Sequence, residues 1–393
     1  MERRSLRAAR LATFTYFVLN GTLLGMWIVQ IPSIEQRVGI SHAVLGGFLL
    51  LLGAGAFVGM RAAGPAADRL GTRTVVPASA ALCSAALVLP GLATGPWTLA
   101  GALAVLGFGN GCLDVSMNAH AVEVEKAYGR PVMSAFHATF SVGGVLAALA
   151  GAATAGWDWS PAATLGAAAV LGLVVSGCAA PGLLPSRSTP AADAGAGPGG
   201  PGGPGTGGAA PARIWLLAVL ALLIMLCEGV ANDWSVLHLR TVLGASDSAA
   251  AFAYGAFAAA MTVGRLLADR VSARFGPAAI LRYGAAVAAL GLSAAALSPW
   301  IPLALAGWGL FGAGLSGCVP QLFSAAGHAD DSAAGANVSR VAGLGYLGML
   351  AGPALIGWLT HLVPLNLAFF LPVACCVAAV AAAGVLRPRL SVP

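Results

Sequence analysis

Twelve uninterrupted apolar runs constrain the fold of this chain more than any other feature of its sequence. Each run of about 20 residues is long enough to cross a hydrocarbon core about 30 Å thick. Because lipid offers no water to satisfy backbone groups, such segments must be helices or a closed barrel. Their continuity, without the alternation typical of barrel strands, predicts helices. The runs lie at residues 11–31, 43–63, 74–93, 97–118, 134–155, 161–181, 214–236, 249–268, 278–297, 301–322, 337–359 and 365–386.

The scarcity of charged residues supports the same fold class. Only 9% of the residues are charged and 58% are hydrophobic, whereas soluble domains carry about 25% charged residues. The first run is too long for the apolar part of a signal peptide and lacks a clear small-residue cleavage site. We therefore predict an all-α membrane protein with twelve transmembrane helices, whose surrounding partner is the lipid bilayer.

The distribution of positive charge predicts the orientation. With the N-terminus inside, all of the 20 Lys and Arg residues except Arg37 and Arg240 fall on the inner side. Because inner loops carry the excess of Lys and Arg, both termini (1–10 and 387–393) are predicted to be cytoplasmic, in the cell inner (plasma) membrane. This topology accounts for the formal net charge of +6, so no nucleic-acid partner is expected.

A Gly- and Pro-rich stretch divides the chain. Residues 186–213 cannot bury enough apolar surface to fold, which predicts a disordered cytoplasmic linker between six-helix bundles at 11–185 and 214–386. The bundles share a motif, because "VGMRAAGPAADRLG" (58–71) matches "VGRLLADRVSARFG" (263–276) at a constant offset of 205 residues. A weak internal repeat between two halves is typical of secondary transporters.

The loop after predicted helix 2 carries a recognisable signature. The stretch "GPAADRLGTR" (64–73) resembles the G-x-x-x-D-R-x-G-x-R loop of the major facilitator superfamily. Four further stretches resemble its rhizopine-transporter-like (MosC-like) branch, which is related to fucose permease. They are "GMWIVQIPSIEQRVGIS" (25–41), "GNGCLDVSMNAHAVEVE" (109–125), "MSAFHATFSVGG" (133–144) and "EGVANDWSVLHLR" (228–240). The resemblance implies two pseudo-symmetric six-helix bundles, with helices 1, 4, 7 and 10 lining a central cavity.

Two departures from the superfamily's proton-driven drug antiporters bear on function. Predicted helix 4 has no Arg, which many of those antiporters carry there. Predicted helix 5 lacks their Gly-Pro pair, and a similar pair, Gly352-Pro353, occurs in helix 11 instead. Both departures count against multidrug export.

Predicted helix 4 contains a polar stripe. Asn110, Asp114 and Asn118 are spaced four residues apart, so they share one helix face. A charge at the membrane centre costs about 2.5–3.5 kcal/mol on insertion scales, so Asp114 should face the protein interior or water. The resemblance places the stripe in the central cavity, where Asp114 would titrate protons and the two amides would bind a polar solute. The alternative is a satisfied carboxylate that only joins helices.

Predicted helix 7 offers a second polar group. Glu228 and Asn232 share a face at four-residue spacing, while Asp233 and Trp234 lie further round, near the outer end. Glu228 is a candidate proton or substrate site, and Asn232, Asp233 and Trp234 are candidate substrate ligands. The ring of Trp234 would then stack on a sugar-like ring. An interfacial anchor of Asp233 and Trp234 is the commoner arrangement at that depth.

Three further residues are candidates with weaker signals. His137, near the inner end of helix 5, could relay protons to Asp114, because its side chain titrates near neutral pH. It could equally brace the helix end. In helix 1, Asn20 and Gln30 are candidate substrate donors, although membrane helices also use amides for packing.

The signature residues imply a cytoplasmic gate. In the superfamily, the signature Asp contacts the start of helix 11 and latches the halves together, which here implies a contact between Asp68 and Arg340. By pseudo-symmetry, Asp269 would approach Arg130 or His137. The gate set is completed by the remaining signature and repeat positions, namely Gly64, Arg69, Gly71, Arg73 and Arg274. A latch of a few kcal/mol would bias a two-state equilibrium strongly.

The seven cysteines all lie in apolar runs without CxxC spacing. Such cysteines are usually small buried hydrophobes. We therefore expect no disulfide framework, no metal site and no cofactor.

These features predict a secondary transporter that works by alternating access, coupled to protons, for a small polar solute such as a sugar or cyclic polyol. The alternative on the same fold is a proton-driven exporter of lipophilic drugs or metabolites. A more distant alternative is a non-transporting membrane receptor, although the loops apart from the linker are short for a signalling domain. An enzyme is not predicted, since "GLSG" (314–317) and His361 lie near opposite membrane ends and no HExxH or P-loop occurs. We expect the monomer to be the functional unit.

Overall fold

Every predicted apolar run is helical in the computed structural model, which describes residues 3–129, 132–185, 212–327, 329 and 334–386. Twelve helices in these ranges are long and apolar enough to cross a membrane, and the described residues include no strand. The predicted fold class is confirmed. The helices are α1 (Arg3–Val38), α2 (His42–Leu70), α3 (Thr72–Leu92), α4 (Pro96–Tyr128), α5 (Met133–Gly156), α6 (Pro161–Ala179), α7 (Ala212–Thr241), α8 (Asp247–Phe275), α9 (Pro277–Leu297), α10 (Ile301–Leu315, continued by Cys318–Gly327), α11 (Ala334–Leu359) and α12 (Leu365–Ala368, continued by Phe370–Ala382).

Several helices extend beyond the apolar runs. The first begins at Arg3, inside the predicted tail, and α4 continues to Tyr128 instead of ending near residue 118. The seventh begins at Ala212, so the last two residues of the predicted linker are helical. Hydropathy detects only the lipid-spanning part of a helix, whereas Ala, Arg and Glu continue it into polar surroundings. The rest of the linker (186–211) and the tail (387–393) lie outside the described residues.

The helices cross between two faces of the bundle. We call the face at which α1 begins, α6 ends and α7 begins the terminal face. The opposite face, which holds the α1–α2 turn (39–41) and the α7–α8 turn (242–246), is the distal face. With this naming, the signature loop between α2 and α3 lies on the terminal face.

The two halves repeat the same turns at the offset seen in the sequence. Gly71 and Gly276 each end the second helix of their half and begin the third, with φ of 79° and 81°. This positive-φ conformation is open to glycine and strained for other residues. Ser41 and Ser246 both cap the second helix, where each side-chain oxygen accepts the N–H three residues on, at 3.4 and 3.2 Å.

Helix packing within each half repeats as well. On α4, a Cβ at Gly107 would overlap the carbonyl oxygen of Leu52 on α2. On α10, a Cβ at Gly312 would overlap the carbonyl oxygen of Phe257 on α8, and both residues lie at the same offset. In lipid, close backbone approach through small residues supplies the packing that the hydrophobic effect does not.

The halves contact each other mainly towards the distal face. The backbones of α2 and α11 meet at Gly46 and Gly357, where a Cβ on Gly46 would lie 2.8 Å from the partner Cα. Between α5 and α8, the Ser248 hydroxyl donates to the Ala152 carbonyl at 2.8 Å. These contacts close the bundle on the distal face and leave the central polar residues on its terminal side.

Candidate functional site

The predicted stripe on α4 forms a connected polar unit. The side-chain amide of Asn118 donates to the backbone carbonyl of Asp114 at 2.8 Å and to its carboxylate at 3.3 Å. Asn110, one turn nearer the distal face, holds a buried Oδ1 that has no hydrogen-bond partner among the described residues. No Lys or Arg in the described part of the chain forms an ion pair with Asp114. The stripe therefore presents a carboxylate without a cationic partner and an amide oxygen that can still accept a hydrogen bond.

Glu228 forms an ion pair with Arg265, one of the residues that the charge distribution predicts on the inner side. The Arg265 guanidinium on α8 donates to the Glu228 carboxylate on α7 at 2.8 Å. It also donates to the Ser141 hydroxyl on α5 at 3.0 Å, which joins the two halves. The side chains of Arg265 and Glu228 are 26% and 15% exposed, so the pair is partly shielded from solvent. A charge-assisted bond in such surroundings is stronger than one in water.

Two tyrosines lie near the charged groups of the site. The Tyr346 hydroxyl on α11 lies within electrostatic range of both Asp114 and Glu228. Tyr254 on α8 is buried and lies in range of Glu228, Asp233 and Arg265. We define the central polar cluster as the residues joined by these hydrogen bonds, together with the nearby Tyr346. They are Asp114, Asn118, Ser141, Glu228, Arg265 and Tyr346.

His137 lies at the edge of the central polar cluster. Its imidazole is within electrostatic range of Arg265, and its ring packs edge-on against Phe17 with 5.2 Å between ring centroids. The side chain is exposed towards the terminal side of the cluster. The three predicted proton-coupling residues thus share one region, with Arg265 near His137 and Glu228 and with Tyr346 near Asp114 and Glu228. Chemically, the region combines an unpaired carboxylate, an ion pair and hydroxyl and amide groups.

The other predicted solute ligands are more dispersed. Asn20 on α1 is buried, and its Oδ1 has no partner among the described residues. Gln30 lines a cavity of about 230 Å³ at the distal face, together with Ser33, Asp158 and Asp247. Asn232 and Asp233 are partly buried on α7. Asn20 is thus a buried acceptor, whereas Gln30 belongs to the distal face.

In this structure Trp234 is packed between helices. Its ring is fully buried, and its indole N–H donates to the Pro353 carbonyl of α11 at 3.2 Å. The His42 ring of α2 packs edge-on against it with 5.8 Å between centroids. A ring covered on this scale has no free face for a solute in this conformation and does not reach the lipid interface. In this conformation it packs between α2 of one half and α11 of the other.

The predicted latch on the terminal face is not closed. Asp68 is exposed, and the Arg340 guanidinium donates instead to Asn337 on its own helix at 3.2 Å. Arg69 and Arg73 are exposed, and the Arg274 guanidinium lies over the ring of the adjacent Phe275. Open space surrounds the Cα of Gly64. Arg130 and the side chain of Asp269 lie outside the described residues, so the second predicted contact has no described geometry.

Next to the signature loop lies a series of hydrogen-bonded polar residues that the sequence does not predict. The Thr72 hydroxyl donates to the Glu123 carboxylate at 2.9 Å and lies 2.8 Å from His120 Nδ1. The Leu184 N–H donates to His120 Nε2 at 3.3 Å, so the proton of a neutral imidazole lies on Nδ1 and donates to Thr72. This series ties the start of α3 to α4 and to the segment after α6. Four-residue spacing could not reveal it, because its members come from three elements.

Signals for the missed members of the central polar cluster do exist in the sequence. Arg265 lies inside a predicted apolar helix, where a charge is expensive and calls for a partner. Its repeat counterpart is Met60, so the arginine is not part of the shared loop motif. An intramembrane arginine and an intramembrane glutamate on adjacent helices are therefore natural partners. Ser141 and Tyr346 carry no comparable signal.

A twelve-helix bundle of two repeated halves around a polar centre defines the class of secondary membrane transporters. The family model described as Major Facilitator Superfamily matches residues 11–335, and the chain belongs to this superfamily. It is 35% identical to an uncharacterised MFS-type transporter of Yersinia pestis over 92% of this chain and 91% of that protein. It is 29% identical to membrane protein MosC of Rhizobium meliloti over 91% of this chain and 85% of that protein. The predicted superfamily is thereby confirmed, and the similarity to MosC is consistent with the predicted branch.

Solved structures show the same fold at low sequence identity. The nucleoside transporter NupG aligns with a TM-score of 0.74 and 13% identity, covering 97% of this chain and 100% of that one. The D-xylose–proton symporter aligns with a TM-score of 0.75 and 13% identity, covering 98% of each chain. The chain is a multi-pass membrane protein with the major facilitator fold.

Proposed function

We propose that this protein is a proton-coupled secondary transporter for a small polar solute, such as a sugar or cyclic polyol, and that it works by alternating access. The observation that carries the proposal is the central polar cluster, in which Asp114 of one half and Glu228–Arg265 of the other lie around Tyr346. Carboxylates within a membrane bundle are retained where they serve a transport pathway. The protein is proposed to act without catalysing a reaction.

Asp114 is the proposed proton-binding group. Because it lacks a cationic partner among the described residues, a proton is the simplest way to neutralise it when the site closes. Asn118 keeps the carboxylate oriented through its 3.3 Å hydrogen bond. Asn110 and Asn118, which lie on the same face of α4 as Asp114, then offer amide groups to solute hydroxyls.

The Arg265 bridge is the proposed link between solute binding and movement. Its guanidinium connects Glu228 in one half to Ser141 in the other. A solute hydroxyl that replaces Ser141 as acceptor would release this connection between the halves. A proton on Glu228 would weaken the other end in the same way.

A polar solute fits the site better than a lipophilic one. The groups around Tyr346 are carboxylate, guanidinium, amide and hydroxyl, whereas a drug exporter would need an aromatic-lined cavity. Trp234, the aromatic candidate, is buried between helices in this conformation. Two proteins of the same fold are named for polar solutes, a nucleoside transporter and a D-xylose–proton symporter. These names support the class of solute.

We further propose that the terminal face is cytoplasmic and that the protein lies in the inner membrane with both termini inside. The Lys and Arg distribution supports this orientation. With it, the distal contacts and the open Asp68–Arg340 latch describe an inward-facing conformation. Closing the latch would accompany opening of the distal face.

A thermal-shift panel on purified protein tests the solute class. Hexoses, cyclitols and amino sugars are compared with lipophilic cations at several pH values, in the native chain and in Asp114→Asn. We expect a polar ring compound to raise the melting temperature, more strongly at lower pH because solute and proton bind together. Asp114→Asn should remove that pH dependence. Asp158→Asn, a carboxylate change on the exposed α5–α6 turn, is the matched control and should keep it.

Uptake by proteoliposomes completes the test. An inward proton gradient should drive accumulation of the stabilising compound in the native chain and the Asp158→Asn control. Accumulation in Asp114→Asn should fall at least tenfold, which corresponds to about 1.4 kcal/mol of lost coupling. Stabilisation by lipophilic cations alone would overturn the proposal in favour of the exporter. Binding without flux would favour a receptor.

A further inference from the structure

Two ion pairs at the distal face occupy equivalent positions in the two halves with their charges reversed. Nδ1 of His42 lies 2.5 Å from the Glu35 carboxylate, which joins the end of α1 to the start of α2. Arg240 pairs with Asp247, which joins the end of α7 to the start of α8. The repeat offset relates Glu35 to Arg240 and His42 to Asp247. Both halves thus have a polar strut across the same turn.

The two struts differ in exposure, because Glu35–His42 is largely buried whereas the Arg240 and Asp247 side chains are 35% and 42% exposed. The Glu35 side chain is only 6% exposed, and its His42 partner is 27% exposed. A carboxylate that is buried to this extent depends on its partner, because burying an unpaired charge is costly. Glu35, His42 and Arg240 line one cavity at this face. The two struts therefore face each other across the boundary between the halves.

Each strut also contacts the opposite half. The His42 ring packs against the fully buried Trp234 ring of α7. On the other side, the Ser33 hydroxyl of α1 donates to the Asp247 carboxylate of α8 at 3.5 Å. Helix ends held by the struts are therefore the same ends that touch across the boundary. Separating the halves here would uncover Trp234 and break the Ser33 contact.

We propose that the two struts, Glu35–His42 and Arg240–Asp247, form the distal gate of the transport pathway. They hold the helix ends in the geometry that lets Trp234 and Ser33 bridge the halves, and loss of a strut shifts the protein towards a distal-open state. This inference rests on the proposed alternating-access mechanism. The gate residues position the helix ends and do not bind the solute.

A buried serine on α7 provides a reporter for gate opening. Glu228, Asn232 and Ser235 share one face of α7 by their spacing of four and three residues, so Ser235 lies on the distal side of the central polar cluster. Its side chain is fully buried, and its hydroxyl has no hydrogen-bond partner among the described residues. Ser235→Cys should therefore disturb the fold little and report access from the distal face.

The experiment measures the labelling rate of Ser235→Cys by a membrane-impermeant methanethiosulfonate reagent applied to the distal face. The chain without the reporter gives the background from the native cysteines, six of which are buried. Glu35→Gln and Asp247→Asn are added singly and together. We expect at least threefold faster labelling in each single variant and at least tenfold in the pair. His361→Gln, an exposed side chain on the same face, just after α11 and outside both struts and their cavities, should leave the rate unchanged.

A reciprocal exchange keeps the test decisive if a variant folds poorly. Arg240→Asp alone should speed labelling, because two carboxylates then face each other, and Arg240→Asp with Asp247→Arg should restore the slow rate. Fast labelling of the reporter in the unaltered background would overturn the gate, as would unchanged rates in folded Glu35→Gln and Asp247→Asn. The readout needs no solute, so the gate can stand even if the proposed solute class fails.

Discussion

The two six-helix halves share their backbone geometry but divide the chemistry between them. The turns at Gly71 and Gly276 have nearly the same φ and ψ. By contrast, the repeat counterparts of Asn110, Asp114 and Asn118 on α10 are Leu315, Val319 and Phe323.

The second half compensates with groups of its own. Glu228 and Arg265 have Leu23 and Met60 as their counterparts in the first half. A duplicated framework can therefore keep its turns and helix contacts while each copy supplies a different part of one site. Equivalent substitutions should have similar effects in the framework and unequal effects at the centre.

The largest effect is expected at the centre, where the halves differ. Arg265→Met leaves the Glu228 carboxylate without its cation, and breaking a buried pair from one side costs about 3–5 kcal/mol. Because this pair is partly exposed, the lower end of that range is expected. Glu228→Gln should be destabilising for the converse reason. The double variant should regain most of the stability but not the transport. Melting temperature in detergent and proton-driven uptake measure the two effects.

In the first half, Met60→Leu is the matched control and should change the melting temperature little. A double variant that remains as unstable as either single variant would contradict the ion-pair assignment. Recovery of uptake in the double variant would make the pair purely structural.

The next effect should be similar in the two halves and somewhat larger at Gly107, where the added Cβ would lie closer to the carbonyl oxygen than at Gly312. Gly107→Ala and Gly312→Ala each place a methyl group against a carbonyl oxygen of the neighbouring helix. Overpacking of this kind costs about 1–3 kcal/mol. Gly101→Ala, on α4 with open space around its Cα, is the control and should be neutral or stabilising. A loss of melting temperature in only one of Gly107→Ala and Gly312→Ala would break the equivalence of the packing.

A somewhat smaller effect is expected at the turns. Gly71→Ala and Gly276→Ala put a Cβ on a residue at φ of 79° or 81°, which costs about 1–3 kcal/mol unless the turn relaxes. Gly64→Ala, within α2 and with open space around its Cα, should leave the melting temperature unchanged or raise it. Denaturant midpoints of the three variants give the comparison. Loss of stability in Gly64→Ala alone would refute the turn argument.

The smallest effect concerns the helix caps. Ser41→Ala and Ser246→Ala each remove an acceptor for a free N–H at the start of a second helix. The expected cost is about 1 kcal/mol for each. Ser41→Asn and Ser246→Asn keep a capping oxygen and should retain most of the stability. Equal losses of stability in the alanine variants, with stability retained in the asparagine variants, would support the equivalence of the two halves.

Most of the fold could be predicted from the sequence, because each helix must bury its own backbone hydrogen bonds in lipid. The apolar runs therefore mark all twelve helices. The helix ends were less accessible, since residues such as His120 and Glu123 continue α4 in polar surroundings where hydropathy gives no signal. The predicted loop at 64–73 is reduced to a turn at Gly71, because α2 continues to Leu70 and α3 begins at Thr72.

The site was only half visible for a different reason. For residues on one helix, such as Asp114 and Asn118, the spacing shows that they share a face. Spacing does not reveal partners on different helices, such as Glu228 and Arg265, because the packing of α7 against α8 sets their distance. The role of Trp234 was hidden likewise, since only its neighbours on α2 and α11 determine which way the ring faces.

The reversed struts also limit how symmetric this architecture can become. Glu35 and Arg240 occupy equivalent positions and line one cavity. A chain assembled from two identical copies of the first half would set a second glutamate where Arg240 stands, and like charges would repel across the boundary. Gene duplication could supply the helices and turns, but mutual attraction at this face had to arise by later divergence. A designer who builds the fold by repeating one half must therefore make the two copies differ at these ends first.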